Sequence, residues 1–276
     1  MTDYTKDYKA IKVEEKGKVT WLTLNRPDEL NTITPQLTAE LSDFFGRQYD
    51  DNLKGQLRSQ VIVMRAEGKH FSAGLDLAGA AGSNGGMRTI ADGMRSQRSI
   101  ADIVIRMRRA PQPIIALVQG AASGGGMAFA LAADVLILAD DARMNVAMAR
   151  IGMTGNDIGL SYFITRALPS SVGNELMMTG RFLQADRAYQ LGVASEIHPR
   201  EKLDAAGEAM ATDMLRLPPL GSRLTKEGAN IARDAASLEA VVAMEDRQQI
   251  LMSRTGDMEE GVKAFLEKRL PDFEST

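Results

Sequence analysis

Residues 113–134 read PIIALVQGAASGGGMAFALAAD, in which a glycine-rich turn separates two apolar runs. The first run, Ile114 to Val118, has the length and composition of a buried β-strand. The second run, Met127 to Ala133, is rich in alanine and is typical of a helix that is buried on most of its surface. Glycines in the turn permit unusual backbone dihedrals and let a ligand approach the backbone closely.

The beginning of the predicted helix is a candidate ligand site. The first amides of a helix have no partner within the helix, and the helix dipole adds partial positive charge at the same end. An anion, or an oxyanion that forms during a reaction, is stabilised in such a place. We therefore place the candidate functional site at this turn.

Strands and helices alternate through the first 200 residues. Short apolar or alternating runs predict strands, and these runs are 11–13, 19–24, 61–64 and 135–138. Helical patterns lie between the later strands, and only helical patterns follow Ile197. This order favours an α/β fold of repeated ββα or βα units over an all-α or all-β fold. We expect a core over residues 1–200 and a helical region over residues 201–276, whose amphipathic helices suit a partner surface.

The composition excludes several classes of function. The chain has 276 residues, a net charge of −3, two histidines and no cysteine. Disulfides and cysteine-based metal sites are therefore excluded, and neither His70 nor His198 lies in a metal-ligand pattern. Acidic and basic residues are interspersed, which is untypical of nucleic-acid binding. No apolar run reaches the ~20 residues of a membrane span, so we expect a soluble cytoplasmic protein without a membrane or nucleic-acid partner.

Residues 78–86 consist mainly of glycine, alanine, serine and asparagine. A segment of this composition between two patterned segments is typical of a loop. Loops beside a site often carry part of its function. We therefore expect a mobile loop here that acts as a flap over a pocket.

Short motifs spaced along the chain carry a family resemblance, and they are LNRP at 24–27, FSAGLDL at 71–77, GAASGGG at 120–126, AAD at 132–134, LMMTG at 176–180 and EGVKAFLEKR at 260–269. Together they resemble the crotonase (enoyl-CoA hydratase/isomerase) superfamily over nearly the whole chain. The resemblance implies a spiral of ββα units with a C-terminal helical region, and assembly into homotrimers or dimers of trimers. It also implies an acyl-CoA thioester ligand, with no cofactor besides the coenzyme A of the substrate.

The resemblance assigns the thioester oxygen to two backbone amides, those of Leu75 and Gly125. Both amides follow a glycine at a loop-to-helix junction, where unpaired N–H groups are available. The alternative is that these glycines only permit tight turns. Further contacts with the substrate or its coenzyme A are predicted at Arg26, Leu30, Ala73, Asp76, Leu77, Gly124, Met148, Phe265 and Lys268.

Four of these further contacts have an alternative interpretation. Asp76 has an alternative role, which is to order its own turn. Arg26, Phe265 and Lys268 are expected at the nucleotide end of coenzyme A, the last two across a subunit boundary. Solvated or packed surface is the alternative for all three.

Two positions depart from the hydratases of this superfamily. Those hydratases carry two glutamates that position and activate water, and the matching positions here are Ala128 and, counted from Gly152, Met148. Neither side chain can transfer a proton. The methionines around Met148 favour an apolar pocket for the acyl chain instead.

The remaining acid of this segment is Asp157, in the run GNDIG at 155–159. Its setting is similar to that of a carboxylate that dienoyl-CoA isomerases use for proton transfer. Apolar neighbours would partly bury the carboxyl group and raise its pKa toward the range of a general acid or base. The alternative is that Asp157 caps the helix that is predicted to begin near Leu160.

These residues predict an enzyme that holds the enolate of an acyl-CoA thioester in an oxyanion hole. Double-bond isomerisation relocates one proton, so the single acid Asp157 suits an isomerase better than a hydratase. Two alternatives stay open. One is a hydratase or lyase that activates water with other groups, and the other is an acyl-CoA-binding protein that has lost catalysis.

Overall fold

The computed structural model describes residues 8–82 and 89–273 of the chain. Its strands are β1 (Ile11–Lys16), β2 (Val19–Leu24), β3 (Val61–Ala66), β4 (Ile114–Val118), β5 (Ala121–Ser123), β6 (Val135–Ala139), β7 (Arg143–Asn145), β8 (Leu183–Gln184) and β9 (Glu196–His198). In the described residues, these strands form a six-stranded sheet in the order β1-β2-β3-β4-β6-β9 and a three-stranded sheet in the order β5-β7-β8.

The helices lie between the strands and after the last of them. They are α1 (Pro35–Leu53), α2 (Leu77–Gly82), α3 (Ile90–Arg109), α4 (Gly125–Ala132), α5 (Leu160–Ala167), α6 (Ser170–Thr179), α7 (Ala185–Gln190), α8 (Leu203–Leu215), α9 (Pro219–Ala232), α10 (Leu238–Met252) and α11 (Gly256–Glu267). Among the described helices, none has both the length and the apolar character needed to cross a membrane. The cytoplasmic location stays a prediction.

The large sheet combines one antiparallel hairpin with parallel strands. β1 pairs antiparallel with β2, and every later pair in this sheet is parallel. The central strand β4 is buried along its whole length. Helix α8 packs across β3, β4 and β6, and α4 contacts β4 as well. A parallel strand that is covered by helices reads as a continuous apolar run, which is why the pattern at Ile114–Val118 predicted it.

Helices α1 and α3 begin at strong N-cap residues. The side chain of Thr34 accepts a hydrogen bond from the amide of Leu37, and Pro35 occupies the first helical position. Thr89 and Asp92 form a capping box at the start of α3, in which each side chain accepts from the other residue's amide. The two helices pack against each other. This packing holds α3 beside the glycine-rich turn.

The turn after β4 is more ordered than the sequence indicates. Residues Ala121–Ser123 form the strand β5, which pairs parallel with β7, and α4 begins at Gly125 instead of Met127. The amide of Gly124 donates to the carbonyl oxygen of Asn145 at 2.9 Å. The segment 121–123 becomes a strand because it finds a distant partner, and no local pattern reports that partner.

The predicted loop at residues 78–86 is partly wrong, and its role as a flap stays a prediction. Residues 78–82 belong to α2, so they are helical and do not form a loop. The carboxylate of Asp76 accepts a hydrogen bond from the amide of Gly79 at 2.9 Å, which stabilises the first turn of this helix. Alanine also has the highest helix propensity. The rest of the predicted flap, residues 83–86, lies outside the described residues.

The C-terminal region is attached to the sheet. Leu203, Ala206 and Ala211 of α8 belong to the buried core. Helices α9, α10 and α11 follow, and α9 packs against α10. The division into residues 1–200 and 201–276 stays a prediction.

A largely buried ionic cluster at Asp134 joins α3, β4 and α9 to the segment between α4 and β6. The carboxylate lies between α4 and β6 and accepts from the amide of Ile114, at the start of β4, at 2.8 Å. Lys226 of α9 lies 2.8 Å and Arg108 of α3 lies 2.9 Å from its two oxygens. Burial lowers the pKa of Lys226, and the Asp134 charge opposes that shift. Asp134 therefore has the structural role of joining the C-terminal region to the core.

Replacement of Asp134 by asparagine should destabilise the fold by about 3–5 kcal/mol, because it leaves the buried Lys226 ammonium without its counter-charge. Asp140 offers a matched control since it is exposed, and Asp140→Asn should change stability by less than about 0.5 kcal/mol. Urea unfolding at a fixed protein concentration measures both variants. Equal midpoints for the two variants would show that the cluster contributes little.

Candidate active site

Two glycine turns meet beside the start of α4. Gly74 has φ +89°, and a Cβ added there would lie 2.7 Å from the carbonyl oxygen of Ser123 and 3.7 Å from the amide nitrogen of Gly125. A side chain does not fit into this space. The turn at Ala73–Leu75 is therefore in backbone contact with the turn that begins α4.

The amides of Leu75 and Gly125 are available as donors. Gly125 is the first residue of α4, and its N-cap residue Gly124 has φ +53°. Among the hydrogen bonds of residues 8–82 and 89–273, none is donated by the backbone amide of Leu75 or Gly125. Two unpaired N–H groups on neighbouring turns form a place that stabilises a negatively charged oxygen.

Both turns line one cavity of about 110 Å³. Most of its wall is apolar, and the apolar side chains outside the predicted set include Ile33, Ile100, Ile151 and Met153. The structure brings together these sequence-predicted site residues: Ala73, Leu75, Leu77, Gly124, Gly125, Met148 and Asp157. They come from segments that are up to 84 residues apart, from Ala73 to Asp157, so the cavity is a product of the tertiary fold.

Asp157 is the one ionisable side chain on the cavity wall within the part of the chain that the structure describes. It is half-buried, and burial raises its pKa above the ordinary value because it disfavours the charged form. A hydrogen bond from the side-chain amide of Gln97 and one from the backbone of Ile158 oppose this rise in the pKa. An aspartate in this environment can take up and return a proton more readily than a solvated one.

Asp157 does not cap α5 with its side chain. The helix begins at Leu160, its N-cap residue is Gly159 with φ +94°, and the cap makes no side-chain hydrogen bond. The backbone carbonyl oxygen of Asp157 accepts from the amide of Leu160 at 2.7 Å. The carboxylate instead contacts Gln97 of α3.

The backbone next to Asp157 is strained. Ile158 is buried and β-branched, yet its φ is +36°. A non-glycine residue in this region costs about 1–3 kcal/mol and persists only where its surroundings impose it. The Cδ1 atom of Ile158 would lie 3.3 Å from a Cβ added to Gly125, so the side chain packs against the turn of α4. This packing holds Asp157 on the cavity wall.

Asn31 organises the loop behind the Ala73–Leu75 turn, and the sequence analysis missed it. It is buried and has φ +52°. Its Oδ1 accepts from the amide of Arg26 at 2.8 Å, and its Nδ2 donates to the carbonyl oxygens of Glu67 and His70 at 2.9 Å each. An isolated asparagine in a loop has no sequence pattern that reports three such partners.

Ser72 joins this loop to the turn and to β5. Its hydroxyl donates to the carbonyl oxygen of Asn31 at 2.7 Å and accepts from the amide of Gly74 at 3.2 Å. Its backbone amide donates to the carbonyl oxygen of Ala121, and its carbonyl oxygen accepts from the amide of Ser123. The two glycine turns are therefore held in register by one buried serine.

His70 also has a structural contact. Its Nδ1 accepts a hydrogen bond from the amide of Ala121 at 3.0 Å, so the ring is neutral in this arrangement. Burial lowers the pKa of His70, and the positive charges of Lys69 and Arg143 lower it further. The ring supports the start of β5 and does not line the cavity.

Five predicted contacts lie outside the cavity wall, and three of them, Arg26, Leu30 and Asp76, belong to the N-terminal part of the chain. Asp76 caps α2, as its alternative role required, and Leu30 uses its carbonyl oxygen to accept from the amide of Ala73 at 3.0 Å. Arg26 is half-buried beside the loop of Asn31. None of the three is among the described residues that line the cavity.

Phe265 and Lys268 lie at the C-terminal end of α11. The Phe265 side chain is 82% exposed and lines a separate cleft of about 950 Å³ between α9, α10 and α11. Lys268 is the C-cap residue of α11 with φ +56°. The expected contacts of both residues across a subunit boundary stay predictions.

The two positions without glutamate differ in their surroundings. Ala128 is completely buried within α4, whereas Met148 lies on the cavity wall. Among the described residues, no group of three or more histidine, aspartate or glutamate side chains could hold a metal ion. The chemical resources of the cavity are thus two backbone donors, one carboxyl group with its amide partner, and an apolar wall.

In the described residues, an α/β fold places two backbone amides without an acceptor beside a half-buried carboxyl group, an arrangement that can stabilise a negatively charged oxygen. The family described as enoyl-CoA hydratase/isomerase matches residues 14–276. The chain belongs to this family and is an enzyme of the hydratase/isomerase type.

Relatives and solved structures agree with this assignment. A Mycobacterium tuberculosis (strain H37Rv) protein named "Probable enoyl-CoA hydratase EchA12" is 34% identical over 94% of this chain and 90% of its own length. The 1,2-epoxyphenylacetyl-CoA isomerase of Escherichia coli (strain K12) is 30% identical over 94% of this chain and 95% of its own length. The crystal structure of an enoyl-CoA hydratase from Polaromonas sp. JS666 superposes with a TM-score of 0.88 at 26% identity, and the match covers 96% of this chain and 100% of that structure. The predicted superfamily and fold class are confirmed.

Replacement of Gly74 by alanine should destabilise the protein more than replacement of Gly17. Both glycines have positive φ, so each variant bears a conformational cost of about 1–2 kcal/mol. The added Cβ meets the Ser123 carbonyl oxygen in Gly74→Ala and meets no atom within 4 Å in Gly17→Ala. Urea unfolding gives the difference. Equal losses of stability would contradict the close approach of the two turns.

Proposed function

We propose that the protein isomerises the double bond of an acyl-CoA thioester, with Asp157 as its one acid–base group. The observation that carries this proposal is a half-buried carboxyl group, the one ionisable side chain among the described residues of a mainly apolar cavity, beside backbone amides of Leu75 and Gly125 that have no acceptor in the described ranges. Family membership supports a coenzyme A thioester as the substrate class. The isomerase named among the relatives acts on such a thioester.

The reaction follows from the placement of the three groups. The Asp157 carboxylate takes a proton from the carbon next to the thioester carbonyl of a 3-enoyl substrate. The electrons of that C–H bond pass to the thioester oxygen, and the Leu75 and Gly125 amides stabilise the resulting dienolate. The protonated Asp157 then returns the proton to the far carbon of the former double bond. No atom is gained or lost, and the product is the conjugated 2-enoyl thioester.

The apolar wall supports a hydrophobic acyl group as the substrate. Ile151 and Met153 are about half exposed at the cavity, and Met148 occupies the place of a hydratase glutamate. Methionine side chains adapt to ligands of irregular shape because they are unbranched and flexible. A bulky or medium-length hydrocarbon chain fits these surroundings better than a charged one.

Asp157→Asn should lower turnover of 3-enoyl-CoA or dienoyl-CoA thioesters by about 10²–10⁴-fold, since the amide cannot accept the proton. The thioester should still bind, because its oxygen is held by backbone amides. Calorimetry measures the binding, and the ultraviolet absorbance of the conjugated product measures the turnover. Asp140→Asn, which changes an exposed acid outside the cavity, should retain full activity.

Three other outcomes of these assays would contradict the proposal. Full turnover by Asp157→Asn would rule out the proposed proton transfer. Hydration of crotonyl-CoA by the wild-type protein, without isomerisation, would identify a hydratase or lyase that activates water by other groups. Thioester binding with no reaction across a panel of acyl-CoA thioesters, followed by mass spectrometry, would identify a binding protein.

We also propose that the chain self-associates as a homotrimer or dimer of trimers through α9, α10 and α11. Support comes from the cleft of about 950 Å³ and from large apolar side chains that are exposed there. Contiguous apolar surface of this kind marks interaction sites. The exposed apolar residues that line this cleft include Met258, Val262, Phe265 and Leu266.

Sedimentation velocity of the full chain should give the mass of three or six subunits. Leu266→Asp should shift the distribution toward the monomer because a charge does not fit an apolar interface. Leu53→Asp places the same charge at an exposed leucine at the end of α1 and should leave the distribution unchanged. A monomeric wild-type protein at micromolar concentration would contradict the proposal.

A further inference from the structure

We propose that Gln97 is a positioning residue that holds one oxygen of Asp157, so that the other oxygen carries the proton during the reaction. The inference rests on the proposed proton transfer by Asp157. Gln97 lies on α3 and Asp157 lies 60 residues later, before α5. The side-chain amide Nε2 of Gln97 donates to Oδ1 of Asp157, and both residues line the same cavity.

The hydrogen bond distinguishes the two carboxyl oxygens. An oxygen that already accepts from an N–H group is disfavoured as the site of protonation, because the new O–H would face that donor. The Gln97 contact therefore disfavours protonation at Oδ1 and favours it at Oδ2. A group that must take a proton from one carbon and return it to another needs the proton on one defined atom.

An amide suits this role better than a charged partner. A lysine or arginine at position 97 would favour the carboxylate and lower its pKa by about 1–3 units, which weakens it as a base. An apolar residue would give the carboxyl group no directional contact. The glutamine amide is neutral, so it orients Asp157 without a full charge.

The position of Gln97 is set by a rigid element. α3 begins with the capping box of Thr89 and Asp92 and packs against α1. Ile100, one turn after Gln97, lies on the cavity wall. The donor is thus presented by the same helix face that closes the cavity, while the strained turn at Ile158 presents the acceptor.

Charged side chains on the neighbouring elements do not share this contact. Arg95 of α3 pairs with Asp92, and Arg98 follows Gln97 on the same helix. Arg150 lies in the short turn before Asp157, and its side chain contacts the position of Gly180. None of these is among the described residues that line the cavity, nor is Asp76, which caps α2. The causes that shift the pKa of Asp157 are burial, Gln97 and the Ile158 backbone.

The test replaces the donor while it keeps the length of the side chain. Gln97→Met removes a hydrogen bond that lowers the pKa of Asp157, so the pKa should rise. Asp157 must be ionised to act as a base, and the low-pH limb of the kcat profile should move up by about one pH unit. kcat at neutral pH should fall about tenfold, with a smaller change in KM. Gln97→Glu places a second negative charge beside Asp157, so it should raise the pKa of Asp157 more and move the low-pH limb of the kcat profile to still higher pH.

Gln36→Met is the matched control. Gln36 is an exposed helix glutamine whose Nε2 donates to Oε1 of Glu40 at 3.0 Å, outside the cavity. The same substitution there should leave the pH profile and kcat unchanged. Circular dichroism verifies that each variant is folded, and Gln97→Glu keeps a polar side chain if Gln97→Met is unstable.

A second measurement does not depend on activity. Infrared difference spectra between wild type and Asp157→Asn isolate the carboxyl band of Asp157, and its pH titration should shift upward in Gln97→Met. An unchanged titration and an unchanged kcat profile in both Gln97 variants would overturn the inference. Full turnover by Asp157→Asn would instead overturn the proposed function, so the two failures are distinguishable.

Discussion

The structure depends on the contact between two backbone turns that leaves no room for a side chain. Gly74 lies against the Ser123 carbonyl oxygen, and Ser72 bonds to both the loop behind the turn and to β5. This contact brings the amides of Leu75 and Gly125 to one cavity, and neither amide donates a hydrogen bond to another residue that the structure describes. The cost of left-handed backbone at Gly74 and Gly124 is small because glycine has no Cβ.

The electrostatics of the cavity follow from the same packing. Backbone donors supply positive potential without an ionisable cation, so an enolate oxygen can be stabilised in surroundings that stay apolar. Burial by those surroundings also raises the pKa of Asp157. A strained residue, Ile158, packs against the turn of α4, so the segment that carries Asp157 lies against the turn that carries the Gly125 amide.

Local patterns predicted much of the fold. The apolar run at Ile114–Val118 and the alternating run at Val19–Leu24 appear as strands with the predicted bounds. The segment 78–82 was predicted as loop from its composition, yet the Asp76 cap makes it helical. The segment 121–123 forms β5 because it pairs with β7, and the paired residues Ala121 and Arg143 are 22 positions apart in the sequence. Such errors occur where a cap or a distant partner outweighs composition.

By itself, the sequence determined the family, the strand and helix order, and the positions of the glycine turns, because side-chain periodicity and missing Cβ atoms are local properties. It also located Asp157 as the acid of its segment. Only the tertiary structure decided which groups meet. The contact of Gln97 with Asp157, the three partners of Asn31, and the separation of Phe265 from the cavity of its own chain depend on chain segments that are remote in sequence. No local pattern encodes such contacts, since they arise from packing across the whole core.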